Sequence, residues 1–237
     1  MEARDRLIVA LDVPGLAEAE AVLERLEGVV STFKVGAQLF TAAGPSAVER
    51  VRKRGGRVFL DLKFHDIPAQ VAGAVREAAR LGVSLLTVHA SGGSEMLRAA
   101  AGAAAEAVRD RPRVLAVTVL TSLDRATLQR ELQVPVSVEG QVVHLAGLAR
   151  AAGCDGAVAS PQEARQLRRV MGPGWLIVTP GIRPAGADAG DQARTATPEA
   201  ARRAGADYIV VGRPITAAPD PAAAASAILA AWEHAAT

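Results

Sequence analysis

Arg57-Val-Phe-Leu-Asp61-Leu-Lys63-Phe-His65-Asp66-Ile67-Pro68 is the stretch on which the reading of this chain turns. Residues 57–63 form a short apolar run that ends in charge, the pattern of a strand buried on both faces whose tip reaches solvent. Pro68 suits the first turn of a helix, where its missing N–H removes no bond. Residues 68–81 then continue with Ala, Val, Glu and Arg at helical spacing. The stretch is therefore one strand, one polar tip and one helix. Period two along the strand predicts Asp61 and Lys63 on the same face.

The unit recurs on both sides. Strand-like runs are predicted at 6–12, 32–36, 57–63, 84–89, 114–120, 156–159, 175–179 and 207–212. Helices are predicted at 16–27, 45–54, 68–81, 93–109, 139–152, 161–171, 197–204 and 221–234. Strict alternation calls for a parallel sheet, and eight units are the number that closes a (β/α)8 TIM barrel. The alternative is an open doubly wound sheet, but no G-x-G-x-x-G follows the first strand to support a dinucleotide. The expectation is an α/β fold in which residues 1–237 form a single barrel domain. Two connections exceed simple turns: 121–138, with a short helix at 126–132, and 183–194, read as a lid.

Composition narrows the function classes. Half of the 237 residues are apolar, and the formal charge is only +2, with basic residues scattered rather than clustered. That gives no footprint for a nucleic-acid partner, and 3% aromatic content offers little for stacking bases. The single cysteine, Cys154, excludes an internal disulfide and a cysteine-based metal cluster. No signal-peptide core follows Met1, and no apolar run approaches the ~18 residues of a membrane span. A soluble cytoplasmic protein without a membrane partner is expected.

In a barrel of this kind chemistry sits at the C-terminal ends of the strands. Those ends are Asp12, Lys34, Asp61 with Lys63, His89, Thr121, the turn Thr179-Pro180-Gly-Ile-Arg183, and Gly212-Arg213. The chain has only three lysines, Lys34, Lys53 and Lys63, and two of them fall in this set. Asp61 and Asp66 flank the Lys63 ammonium, and opposite charges in a partly desolvated cleft stabilise one another. Lys63 is thus a candidate general acid. Arg183 and Arg213 present planar donors suited to phosphate, and Gly212 lets backbone approach it. His65 and His89 read as structural, and His144 and His234 as helix-surface residues.

The run Asp61-x-Lys63-x-x-Asp66-Ile67-Pro68 resembles the signature of the orotidine monophosphate decarboxylase family. Similar matches follow in order: Ala10-Leu-Asp12, Phe33-Lys34-Val-Gly36, Thr87-Val-His89-Ala, Leu120-Thr121-Ser122, Thr179-Pro180-Gly-Ile-Arg183-Pro and Val211-Gly212-Arg213-Pro-Ile-Thr216. The resemblance implies a carboxy-lyase that turns orotidine 5′-monophosphate into UMP, the last step of de novo pyrimidine synthesis, without cofactor or metal. It implies an alternating charge set of Lys34, Asp61, Lys63 and Asp66, with Asp66 and Ile67 supplied across a homodimer interface. It also implies that Asp12 and Lys34 hold the ribose, that Thr121 or Ser122 reads the pyrimidine edge, and that Pro180 lies in the substrate turn. Arg183, Gln192, Gly212 and Arg213 would hold the 5′-phosphate.

The chain departs from the family at Ala69-Gln70, where Asn-Thr is frequent, so the ribose contact of that threonine would fall to the Gln70 amide. Two other readings are a magnesium-dependent sugar-phosphate decarboxylase or aldolase of the same superfamily and a phosphate-binding barrel without catalysis. The first shares Asp-x-Lys-x-x-Asp but lacks the His-Asp-Ile-Pro continuation and the Pro-Gly-Ile-Arg turn.

Overall fold

The computed structural model describes residues 3–107, 110–184 and 195–235. Among these residues, eight parallel strands close into a barrel in sequence order. They are β1 (Leu7–Ala10), β2 (Thr32–Gly36), β3 (Arg57–Phe64), β4 (Leu85–His89), β5 (Arg113–Val117), β6 (Gly156–Val158), β7 (Leu176–Thr179) and β8 (Tyr208–Val211). Pairing of β1 with β8, Ile8 opposite Val210, closes the ring. The predicted barrel is therefore the observed fold, and the open sheet is excluded.

The helices are α1 (Leu16–Arg25), α2 (Ala37–Ala43), α3 (Pro45–Lys53), α4 (Pro68–Arg80), α5 (Gly93–Ala105), α6 (Arg125–Arg130), α7 (Val138–Ala151), α8 (Pro161–Met171), α9 (Pro198–Arg203), α10 (Arg213–Thr216) and α11 (Pro221–His234). Local chemistry explains their starts. Proline opens α3, α4, α8, α9 and α11, where a missing N–H is harmless. At α8 Ser160 and Glu163 form a buried reciprocal cap, which satisfies N–H groups that the helix itself leaves open. The α8 pattern then buries Ala164, Leu167 and Met171 while Arg165 and Arg169 face out. Neither α2 nor α10 was predicted. Both are short pieces beside glycine, too brief to show a period.

Alternation along each strand sorts side chains into two layers. Leu7, Val9, Phe33, Val35, Val58, Leu60, Leu86 and Val88 face the helices in the larger core. Ile8, Ala10, Phe59, Leu85, Leu115, Val178, Tyr208 and Val210 fill the barrel interior. Continuing the inward columns toward the strand C-termini brings Asp12, Lys34 and Asp61 to the mouth. The opposite rim carries ion pairs that tie strand starts together. Arg111 meets Asp155 at 2.8 Å and Arg168 meets Asp207 at 2.5 Å. The two carboxylates also accept the backbone N–H groups of Val114 and Ile177. The charged mouth and these ion pairs thus occupy opposite ends of the barrel. Among the described residues no helix is long and apolar enough to cross a membrane.

Candidate active site

A cleft of about 380 Å³ opens at the C-terminal mouth. Its floor is apolar, built from the inward residues Ala10, Phe59, Val117, Val158 and Val210. Charge stands on one wall. Lys34 Nζ lies 2.8 Å from Asp12 Oδ1 and 3.7 Å from Asp61 Oδ2, and Lys63 Nζ lies 2.9 Å from the same Asp61 oxygen. The first and last distances are hydrogen bonds, while the second is an ion-pair contact only. Asp61 is 13% exposed and Lys34 12%, whereas Asp12 is 55% exposed at the rim. The ion pairs therefore run from open solvent toward a largely desolvated carboxylate.

Lys63 reaches this position by a route that strand alternation does not describe. Register along β3 and β4 steps from Leu60 opposite Leu86 to Phe64 opposite Val88. Four residues of β3 thus span two of β4, and Lys63 sits in the bulge with φ +51°. That left-handed backbone is costly for a residue with a Cβ and concentrates at functional sites. The period-two expectation placed Lys63 beside Asp61 correctly, but a bulge delivers it there.

Lys34 has a different constraint. A Cβ on Gly36 would lie 2.9 Å from Lys34 Nζ and 3.2 Å from Asp12 Oδ1. The φ of Gly36 is −95°, so backbone freedom is not what glycine supplies there. It leaves room for the Lys34–Asp12 pair.

The other wall comes from later units. Thr121, Pro180, Arg183, Gly212 and Arg213 all line the cleft. Ser122 is exposed outside it, so of the two adjacent hydroxyls the fold turns Thr121 inward. Gly212 precedes α10, and a Cβ there would make only ordinary contacts with Ala10 and Asp12. The 183–194 connection is pinned at its ends by a bridge between Ile182 and Ala196, in which Arg183 N–H donates to Ala196 O at 2.9 Å. Gln192 and most of the stretch read as a lid lie outside the described residues.

Asp66, Ile67 and Gln70 are not brought into this chain's cleft. All three are exposed, Ile67 at 63%, and Asp66 Oδ1 accepts the Ile67 N–H at 2.6 Å. His89 also stays out of the cleft. Burial pushes its imidazole below the usual histidine value, with the nearby His65 and Lys63 charges adding to the effect and Asp61 opposing it. Burial pushes the Cys154 thiol up to about 12, which leaves it without the thiolate a nucleophile needs.

Sequence reasoning missed the apolar floor and Thr87. The floor was legible in principle as the inward positions of each strand. Thr87 entered only as part of the Thr87-Val-His89-Ala match, with no role attached to its hydroxyl.

Comparison with known proteins agrees with this geometry. Residues 5–228 match the family model described as Orotidine 5′-phosphate decarboxylase / HUMPS family. The chain is 58% identical to a protein of Moorella thermoacetica named orotidine 5′-phosphate decarboxylase, over 97% of this chain and 93% of that protein. It is 57% identical to the protein of the same name from Halorhodospira halophila, over 95% and 94%. Among solved structures it resembles orotidine 5′-phosphate decarboxylase from Lactobacillus acidophilus, with TM-score 0.86 and 39% identity over 96% of this chain and 99% of that one. A closed eight-stranded barrel with paired lysines and aspartates at its mouth, matched over nearly its whole length, places this chain in the orotidine 5′-phosphate decarboxylase / HUMPS family.

Proposed function

We propose that this protein decarboxylates orotidine 5′-monophosphate to UMP, using its own side chains and no cofactor. The observation that carries the reading is the Lys63 ammonium 2.9 Å from Asp61 on the wall of the mouth cleft, in a chain whose relatives bear that enzyme's name. Loss of carbon dioxide breaks the bond between the ring carbon and the carboxylate and leaves the electron pair on that carbon. Asp61 sits against the substrate carboxylate and disfavours it in the ground state. Lys63 stabilises the developing carbanion electrostatically and delivers its Nζ proton to the same carbon.

The remaining residues hold the nucleotide. Asp12 and Lys34 take the ribose hydroxyls, and Thr121 takes the pyrimidine edge beside Pro180. Arg183, Gly212 and Arg213 bind the 5′-phosphate, spending remote binding energy on orientation at the reacting carbon. Asp66 and Ile67 act in the partner subunit of a homodimer, a reading supported by their exposure outside their own cleft. Gln70 is exposed beside them. A nucleotide that carries both a phosphate and a carboxylate does not cross membranes unaided, which suits a cytoplasmic setting.

The test is the ultraviolet absorbance of orotidine 5′-monophosphate mixed with the protein in EDTA. Loss of the orotate chromophore with UMP as product is expected. No change with folded protein would overturn the reading, and turnover of a sugar phosphate on adding magnesium would favour the metal-dependent relatives.

Gly36→Ala gives a sharper check on the Lys34–Asp12 pair. The substitution suits the backbone, so the melting temperature is expected to shift by no more than the equivalent of ~1 kcal/mol. The new methyl displaces two charged side-chain ends, and KM for the nucleotide is expected to rise about tenfold, the loss of roughly one good hydrogen bond. Unchanged KM in a steady-state assay would show that the pair does not hold substrate.

A further inference from the structure

We infer that Thr87 is a positioning residue that sets both the conformation of Lys63 and the orientation of Asp61. The Thr87 side chain is fully buried and points into the barrel from β4. Its Oγ1 accepts the Lys63 backbone N–H at 2.9 Å and donates to Asp61 Oδ1 at 3.0 Å. A hydroxyl carries one proton and two lone pairs, so one group makes both bonds at once.

The bulge explains why such a group is needed. Between Leu60 and Phe64 the β3–β4 ladder is interrupted, so the Lys63 N–H has lost its strand partner. A buried N–H without a partner costs free energy comparable to a lost hydrogen bond, and Lys63 is also in the left-handed region. Thr87, opposite the gap, supplies the missing acceptor and so holds that backbone in place. The proton it gives to Oδ1 fixes the Asp61 carboxylate with Oδ2 turned toward Lys63 and Lys34. Thr87 does not line the cleft. It acts through the two residues that do.

The kinetic part of this inference rests on the proposed decarboxylation, and the structural part does not. Thr87→Val keeps the shape and removes both bonds, whereas Thr87→Ser keeps the hydroxyl. The chain has only three lysines, so 15N-lysine labelling gives three backbone amide signals, and that of Lys63 is assigned by the spectrum of Lys63→Arg. Thr87→Val is expected to speed exchange of the Lys63 amide about tenfold or more. It is expected to lower kcat about a hundredfold, the cost of a misplaced reacting group, with KM changed far less. Thr87→Ser is expected to restore both. If Thr87→Val does not fold, Thr87→Ala is measured in its place.

A Lys63 amide that exchanges as in wild type would overturn the inference, as would a kcat in Thr87→Val equal to that of Thr87→Ser. If wild-type protein does not turn over orotidine 5′-monophosphate, the proposed function fails and the amide exchange alone judges Thr87.

Discussion

Lys63→Ala is expected to keep the fold and to lose decarboxylation by about a million-fold, equivalent to about 8 kcal/mol of barrier. The size follows from two roles carried by one ammonium. In the proposed mechanism it is both the cation beside the developing carbanion and the source of the proton that quenches it. No neighbour on the cleft wall replaces it. Lys34 Nζ stands 3.7 Å from Asp61 and is bonded to Asp12 at 2.8 Å, a guanidinium does not give up its proton in proteins, and His89 is outside the cleft. The fold survives because Lys63 sits at a bulge with its side chain in the mouth, not in the core, and Asp61 keeps its bond from Thr87. Orotate absorbance measures the activity, and thermal melting by circular dichroism checks the fold. Activity within a hundredfold of wild type in a folded variant would remove Lys63 from the mechanism.

The second large effect concerns how many subunits make one site. Asp66→Asn alone is expected to be nearly inactive, as is Lys63→Ala alone. If Asp66 serves the partner's cleft, a dimer of one Lys63→Ala and one Asp66→Asn subunit holds one doubly defective site and one intact site. Random pairing makes half the dimers mixed, each with half its sites intact, so co-refolding the two inactive proteins is expected to restore about a quarter of wild-type activity. The geometry motivates the experiment: the Asp66 carboxylate is taken up by its neighbour's N–H and lies away from its own cleft. A co-refolded mixture that stays inactive, while each variant refolds and dimerises, would mean that every site is built within one subunit.

Much of the fold is written in short-range pattern. Eight apolar runs alternating with eight helical ones require a parallel sheet, and α8 falls on the predicted 161–171 because proline, a capping box and glycine bound it in sequence. The strand tips Asp12, Lys34, Asp61, Arg183 and Arg213 were legible for a similar reason. Charge at the end of an apolar strand marks the mouth whatever the neighbouring units do. Missing were α2, whose seven residues between Gly36 and Gly44 show no period, and the bulge in β3. Residues 57–63 read as an uninterrupted strand, since an extra pair of residues leaves no mark in hydrophobicity.

The chain by itself therefore determined the order of elements, the closed parallel barrel and the kinds of charge at its mouth, because those depend on properties of each segment taken alone. Tertiary structure decided which charges meet. It turned Thr121 into the cleft and Ser122 out of it, left Asp66 outside its own site, and set the Thr87 hydroxyl between Lys63 and Asp61 from a different strand. Contacts of a few ångströms between residues far apart in sequence depend on register and on where a ladder is interrupted, and both are settled only when neighbouring strands pack together.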